Sequence, residues 1–176
     1  MRPPSGFTLW ELMLTLALAG VVLGAGVPAF QALLLDARRT ADVNALVLAI
    51  QLARSEAAKR NRSVIVCKTD DRLRCGSTGL RFDAGWMVYV NSDDQYPPER
   101  SPSEELLYAH VPELTGTITA NRTYFEFRAG KRSTNGTIVF CDRRGASAAR
   151  AVIVNVGGRP RVATVDANRK PLLCPP

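Results

Sequence analysis

The sequence has few of the residues from which enzyme active sites are usually built. It contains one histidine among 176 residues, and neither a Gly-x-Ser-x-Gly motif nor a phosphate-binding glycine loop occurs in it. Two acidic pairs, Asp70-Asp71 and Asp93-Asp94, lack the spaced oxygen ligands of a dedicated calcium site and are typical of solvated turns. These absences argue against an enzyme, and we expect neither a metal nor an organic cofactor.

Acidic residues are also scarce at the C-terminal end of the chain. Residues 128–176 contain ten arginines and lysines but two acids, whereas the whole chain has a formal net charge of +7. The positive excess is therefore concentrated in the last 49 residues. Such a concentration favours a polyanionic partner, either a nucleic acid or an acidic surface, although it is also typical of a solvated surface that aids solubility.

Charge is almost absent from the apolar run of residues 7–35, in which Glu11 is the single charged side chain. These 29 residues exceed the roughly 20 that an α-helix needs to span a bilayer. A carboxylate is costly in such a span, about 2.5–3.5 kcal/mol at the bilayer centre, so we expect Glu11 to have a partner. Cleavage after Gly6 would leave a free α-amine on Phe7, and in a bundle of parallel helices this amine would neutralise Glu11 of a neighbouring subunit.

The segment Gly6-Phe7-Thr8-Leu9-Trp10-Glu11-Leu12 resembles the class III signal of type IV pilins and type II secretion pseudopilins. In that family a short basic leader ends in glycine and precedes an apolar helix. Here the leader is residues 1–6, with Arg2 as its charged side chain. The resemblance implies that a membrane prepilin peptidase cuts between Gly6 and Phe7 and methylates the new amine, although Trp10 departs from the family's usual β-branched residue. The alternative, an ordinary secretory signal, has a shorter apolar core followed by a small-residue cleavage site.

Hydrophobic periodicity predicts that the helix continues through residues 36–62 and ends near Asn61. Apolar residues recur at i, i+3, i+4 and i+7, while polar side chains, including Arg39 and Asp42, fill the opposite side. Short β-rich runs follow at residues 63–68, 85–90, 106–110, 116–119, 123–127, 137–141, 151–156 and 161–165. This order predicts an α+β fold, in which a long helix packs on an antiparallel sheet in one domain, residues 63–176.

The four cysteines, Cys67, Cys75, Cys141 and Cys174, are expected to form disulfides. By the positive-inside rule the basic leader stays in the cytoplasm, which places the C-terminal domain in the bacterial periplasm, where disulfides persist. Three pairings are possible. We favour Cys67–Cys75, which closes a short loop, together with Cys141–Cys174, which would hold the chain end to the domain. A zinc site is the alternative, although Cys-x7-Cys spacing is loose and the single histidine, His110, is remote in sequence.

Four motifs of the C-terminal domain point to one family. They are Val66-Cys67 with Cys75, Gly85-Trp86-Met87-Val88-Tyr89-Val90-Asn91, Gly136-Thr137-Ile138-Val139-Phe140-Cys141-Asp142, and Gly158-Arg159-Pro160-Arg161-Val162. These motifs resemble the GspH/FimT family of minor pilins and pseudopilins, and the resemblance covers essentially the whole chain. It implies a type IV pilin-like fold. The Gly-Arg-x-Arg motif resembles the C-terminal motif of FimT-type minor pilins, which bind DNA during natural transformation.

By this resemblance Arg159 and Arg161 are the leading DNA contacts, with Arg169 and Lys170 next. The loop that carries the first two lies between two apolar runs and is predicted to be a hairpin tip, which its glycines allow to be tight and Pro160 stiffens. Two guanidinium groups on a projecting tip suit phosphates or the edge of a nucleic-acid groove.

Other basic residues would widen this surface. They are Lys131, Arg132, Arg143 and Arg144. The predicted Cys141–Cys174 bond would also hold Arg169 and Lys170 near the loop that contains Arg143.

We therefore predict a minor pilin of a type IV pilus that binds double-stranded DNA in natural transformation. It would be anchored in the bacterial inner membrane by one span, with its C-terminal domain in the periplasm, and its other partners would be the prepilin peptidase and other pilins. The alternative is a type II secretion pseudopilin, whose basic end contacts protein or lipid headgroups. A membrane-tethered periplasmic enzyme is a third class that the sequence disfavours.

Overall fold

The computed structural model describes residues 6, 8–71, 73–76 and 81–175, and the chain divides into two compact units, Met1–Ala37 and Arg38–Pro176. Helix α1 (Leu9–Arg60) begins in the first unit and continues into the second. An 18-residue window of α1 has a mean hydropathy of 2.1 and none of it is buried. Within the part of the chain that the structure describes, α1 is the one helix long and apolar enough to cross a membrane.

The first turn of α1 is closed by a reciprocal cap between Thr8 and Glu11. The Glu11 Oε2 atom accepts hydrogen bonds from the Thr8 backbone N–H at 3.0 Å and from the Thr8 hydroxyl at 2.9 Å. In return, the Glu11 backbone N–H donates to Thr8 Oγ1 at 3.3 Å. This capping box satisfies backbone donors that the start of a helix leaves open. The sequence prediction gives Glu11 a role in assembly alone and misses this cap, although Thr-x-x-Glu is its signature.

In the second unit α1 buries one apolar stripe, as the periodicity predicts. The buried members are Val43, Leu46, Ala49, Ile50, Ala53 and Ala57. The helix ends at Arg60, and Asn61 follows in the left-handed conformation with φ 51°, a common way for a helix to end. The predicted end near Asn61 is therefore confirmed.

Two polar residues that the sequence prediction assigns to the solvent side of α1 are buried, which is a correction. Arg39 is 4% exposed and Asp42 is fully buried. Arg39 donates to the Ala148 carbonyl and lies 3.6 Å from the Asp142 carboxylate. Buried charges are tolerated where partners stabilise them, and these partners lie far away in the sequence, so local periodicity does not reveal them.

The strands form two four-stranded antiparallel sheets, ordered β3-β2-β1-β5 and β4-β6-β7-β8. Their bounds are β1 Ser63–Lys68, β2 Trp86–Asn91, β3 Leu106–His110, β4 Gly116–Ala120, β5 Tyr124–Phe127, β6 Gly136–Asp142, β7 Arg150–Val154 and β8 Pro160–Ala163. Each predicted β-rich run is a strand, so the α+β class is confirmed. The strands are divided between two sheets rather than gathered in one.

Alternate side chains of the second sheet face two apolar layers. In β6, Ile138 and Phe140 belong to the main core, which also contains the buried stripe of α1 and residues of the first sheet. Cys141 belongs to a smaller outer layer, where Leu172 of the C-terminal segment is 3% exposed and packs with Ile153 of β7. The C-terminal segment therefore covers the outer face of the second sheet.

Both favoured disulfides are present, Cys67–Cys75 and Cys141–Cys174. Together they use all four cysteines, which leaves none for the zinc alternative. They close loops with sequence separations of 8 and 33, for which chain entropy gives about 2.5 and about 4 kcal/mol of stabilisation. The second bond fastens the C-terminal segment to the sheet that it covers.

Candidate functional site

The β7–β8 connection is a closed hairpin tip, residues 155–159. The Asn155 side-chain oxygen accepts hydrogen bonds from the backbone N–H groups of Gly157 at 2.9 Å and Arg159 at 3.0 Å. The Asn155 backbone N–H donates to the Arg159 carbonyl at 3.2 Å, and the Gly158 N–H donates to the Asn155 carbonyl at 2.8 Å. The backbone N–H and carbonyl of Arg159 are therefore both hydrogen-bonded, so its side chain projects from a fixed backbone position. Sequence reasoning assigns the tip's rigidity to glycines and Pro160 and misses Asn155.

Gly158 docks the hairpin tip onto a second loop, residues 128–133, called here the basic loop. Its φ of +72° is left-handed, and a Cβ at this position would lie 2.6 Å from Ser133 Oγ and 3.0 Å from the ring of Phe127. The Ser133 N–H also donates to the Val156 carbonyl at 3.0 Å. The tip and the basic loop therefore form one structural unit at one end of the second sheet.

This unit and the adjoining start of β8 present four of the predicted site residues to solvent. Arg159 and Arg161 are exposed, as are Lys131 and Arg132 of the basic loop. Arg161 lies opposite Ile153 in the β7–β8 register, and directly opposed residues share a face of the sheet. Arg161 is therefore on the outer face, where Ile153 packs.

The structure places Arg143 and Arg144 elsewhere. Their loop joins the end of β6 to the start of β7, whereas the hairpin tip follows the end of β7, so the length of a five-residue strand separates them, about 17 Å. The Arg144 guanidinium donates two hydrogen bonds to the Asp142 carboxylate, from Nε to Oδ1 at 3.0 Å and from NH2 to Oδ2 at 2.6 Å. These hydrogen bonds hold the pKa of the Asp142 carboxyl below its usual range. Arg144 is thus already occupied within the domain.

Arg169 and Lys170 lie in a separate turn that Asp166 organises. The Asp166 Oδ1 atom accepts the backbone N–H groups of Asn168 at 2.8 Å and Lys170 at 2.7 Å, and Arg169 has φ 64°. Both basic side chains are exposed. Residues 166–168 of this turn share a cavity of about 380 Å³ with the outer face of β4 and β6. The Cys141–Cys174 bond is present, while closeness of this turn to Arg143 remains a prediction.

At the N-terminal end, the predicted processing site lies partly outside the described residues. Gly6 is exposed, and Phe7 falls outside the described residues, so its amine is not placed. Glu11 is exposed on α1 with Thr8 as its partner. Processing and the pairing of Glu11 with a neighbouring subunit remain predictions.

Sequence reasoning also misses an acid–histidine pair between α1 and β3, in which Asp42 is buried and His110 is partly buried. His110 Nε2 lies 2.8 Å from Asp42 Oδ1, and the other Asp42 oxygen accepts the Leu114 backbone N–H at 2.8 Å. The His110 ring also packs on Trp86, with 4.6 Å between ring centroids. This arrangement fastens the helix to the first sheet.

Comparison with known proteins gives one matching family. A family model described as the type II transport protein GspH matches residues 42–158, more than half of the chain. The match ends at Gly158, so Arg159 and Arg161 lie beyond it. No curated protein matches the sequence significantly.

A solved structure of a minor pilin shares the fold. One crystal form of the type IV minor pilin FimU of Pseudomonas aeruginosa PAO1 aligns with a TM-score of 0.51 at 17% identity, covering 70% of this chain and 91% of FimU. A second crystal form gives a TM-score of 0.49 at 18% identity, covering 77% and 93% of the two chains. At this identity the first alignment shows the fold alone: a long N-terminal helix with an antiparallel β-domain.

Proposed function

The chain belongs to the family of the type II transport protein GspH, and within this family we propose that it is a minor pilin whose C-terminal domain binds double-stranded DNA through its hairpin tip. Its biological role would be DNA uptake in natural transformation. Binding rather than catalysis is the proposed activity, and turnover of a substrate by the purified chain would contradict it.

The observation that carries this proposal is the geometry of the hairpin tip. Asn155 and Gly158 fix a closed turn, and Arg159 and Arg161 extend from it into solvent. Guanidinium groups bind phosphate oxygens through paired hydrogen bonds. A fixed starting point for the side chains reduces the entropy lost when those bonds form.

The tip is built to contact the DNA backbone rather than to read bases. Duplex DNA carries one negative charge per roughly 1.7 Å of its axis, and Lys131 and Arg132 extend the positive surface beside the tip. Phosphate contacts position a protein on DNA but carry no sequence information directly. We therefore propose weak binding with little sequence preference and a strong dependence on salt.

The test compares wild type with the double variant Arg159→Gln/Arg161→Gln. The full chain in a non-ionic detergent is titrated onto a fluorescent DNA duplex across a salt series. If each arginine neutralises one phosphate, the log–log salt slope falls by about 1.8 and affinity falls about 200-fold at about 50 mM salt. The matched control is Arg38→Gln/Arg74→Gln, which removes the same charge from exposed arginines outside the tip and the basic loop; it is expected to stay near wild type. Equal losses in both double variants, or no wild-type binding at low salt, would refute the proposal.

Assembly is the second part of the proposal. A prepilin peptidase would cut between Gly6 and Phe7, and α1 would remain in the inner membrane with the C-terminal domain in the periplasm until the subunit joins a fibre of other pilins. The apolar first half of α1 and the single carboxylate of Glu11 support this. An intermolecular partner for Glu11 would replace the local cap to Thr8.

A type II secretion pseudopilin is the second candidate, and the description of the matching family favours it. Such a subunit would share the fold, the processing and the role of Glu11. Its basic surface would then contact protein or lipid headgroups. The DNA titration separates the two candidates, because a pseudopilin is expected to show no loss specific to the hairpin tip.

A further inference from the structure

A cleft opens beside the hairpin tip, between the end of α1 and the basic loop. Its volume is about 210 Å³, and Gly157 of the tip forms part of its wall. From α1 it takes Arg54, Ala57 and Ala58. The other lining residues are Phe127, Arg128, Ala129, Gly130, Lys131 and Ser133. The cleft is thus continuous with the surface that presents Arg159, although its helical wall lies far away in the sequence.

The cleft is lined by positive charge and by no acidic residue. Arg128 is partly neutralised because its NH1 atom lies 3.3 Å from Asp94 Oδ1. Within the described ranges, neither Arg54 nor Lys131 forms an ion pair with an acid. Arg54 and Lys131 therefore both line a concave site whose wall includes no acidic residue, and this arrangement favours binding of an anion.

The dimensions of the cleft suit a small anionic group. A water molecule takes about 30 Å³ of liquid, so 210 Å³ holds a phosphate group with part of its hydration shell. Gly130 has no heavy atom near its Cβ direction, so no side chain narrows this wall. Most of the other lining residues are small, and the polar ones among them are Ser133 and Arg128, of which Arg128 is ion-paired with Asp94.

We propose that this cleft binds one phosphate of the DNA backbone through Arg54 and Lys131. The inference rests on the proposed function and extends it, because it defines the path of the bound DNA: the strand that contacts Arg159 continues across Gly157 and over α1. Arg54 then becomes a DNA-binding residue outside the C-terminal basic segment. Lys131 lies on this path. Arg144, another cation of the predicted set, does not, because it lies at the other end of β7 and is hydrogen-bonded to Asp142.

The test compares three double variants of the full chain in non-ionic detergent, titrated onto the same duplex. Loss of one phosphate contact in Arg54→Gln/Lys131→Gln is expected to lower the salt slope by about 0.9 and the affinity about 15-fold at about 50 mM salt, or about fourfold at about 200 mM. Arg159→Gln/Arg161→Gln reports on the tip, and Arg38→Gln/Arg74→Gln controls for net charge. Near-ultraviolet circular dichroism confirms that each variant is folded.

A second substitution tests the cleft without removing a cation. Ala58 is exposed and lines the cleft, so Ala58→Glu would place an acid there that repels a phosphate. We expect it to lower affinity at least as much as Arg54→Gln/Lys131→Gln, while Ala58→Gln, of the same shape, stays near wild type.

The outcomes separate the two proposals. If the tip variant loses binding while the cleft variant and Ala58→Glu match the charge control, the cleft is overturned and the proposed function stands. If the cleft variant loses binding and the tip variant does not, the cleft is supported and the tip is overturned. If wild type fails to bind DNA, both are overturned, and binding to an acidic protein or to anionic vesicles instead would assign the cleft to another partner.

Discussion

Replacement of Gly158 by alanine tests whether docking on the basic loop holds the hairpin tip in place. Gly158 has a φ of +72°, and a Cβ there would lie 2.6 Å from Ser133 Oγ and 3.0 and 3.1 Å from two ring carbons of Phe127. Phe127 is 1% exposed within the core, so its ring has no room to retreat. The tip itself must therefore move.

Two costs add up in Gly158→Ala. A left-handed conformation costs an L-residue roughly 1–2 kcal/mol, and forcing atoms into a packed region costs about 1–3 kcal/mol. The lower entropy of the unfolded alanine chain offsets about 0.4–1 kcal/mol of this. We expect the free energy of unfolding to fall by about 2–3 kcal/mol and DNA affinity to fall with it, because Arg159 loses its fixed position.

Gly130→Ala and Gly157→Ala are matched controls. Gly130 has a similar φ of +69° but no atom within 4 Å of its Cβ direction, so it reports the conformational cost alone, about 1 kcal/mol. A Cβ on Gly157 would meet Asn155 Oδ1 alone, at 3.3 Å, and a loss below about 1 kcal/mol is expected. The three variants therefore separate backbone strain from steric conflict.

The assay is urea unfolding of the full chain with both disulfides intact, followed by the fluorescence of Trp86 in a Trp10→Phe background. Trp86 is fully buried and the chain has two tryptophans, so this background reports on the β-domain. A Gly158→Ala loss within about 0.5 kcal/mol of the Gly130→Ala loss, which is the usual scatter for surface substitutions, would refute the steric argument.

Two further predictions concern the charged groups. Asp142→Asn removes the carboxylate that lies 3.6 Å from the buried Arg39 guanidinium and accepts hydrogen bonds from Arg144, and the free energy of unfolding at neutral pH is expected to fall by about 1–3 kcal/mol. Because hydrogen bonds from Arg144 lower the pKa of the native Asp142 carboxyl, its contribution is present above the unfolded pKa of about 3.9 and is lost as pH falls through the lower native value. The difference in free energy of unfolding between wild type and Asp142→Asn, measured by urea unfolding from neutral to acid pH, should therefore shrink below about pH 4. A difference that stays constant with pH would contradict the lowered pKa of Asp142. Glu11→Gln is expected to abolish incorporation into fibres, measured by immunoblot of sheared fibres, because it removes the charge that would bind a neighbour's amine. Thr8→Ala breaks the capping box but keeps that charge, so an equal loss in Thr8→Ala would assign the role of Glu11 to the helix cap.

Several features of the molecule follow from local pattern and are visible in the sequence. The 3.6-residue period of α1 and the alternation of the strands identify the elements, because burying one face needs a fixed spacing of apolar side chains. The disulfide pairing could also be predicted, since Cys67 and Cys75 are close along the chain. The burial of Arg39 and Asp42 could not be predicted, because their partners Asp142 and His110 lie on strands far away in the sequence.

The membrane-length apolar helix, the α+β class and the basic character of the C-terminal segment could be read from the sequence, since each depends on composition and spacing along the chain. Which basic residues lie close together depends instead on the fold. It joins Lys131 and Arg132 to Arg159 through the Ser133–Val156 hydrogen bond, sends Arg143 and Arg144 to the other end of β7, and brings Arg54 of α1 to the same cleft. Strand pairing and helix packing set these distances, and the order of residues along the chain does not contain them.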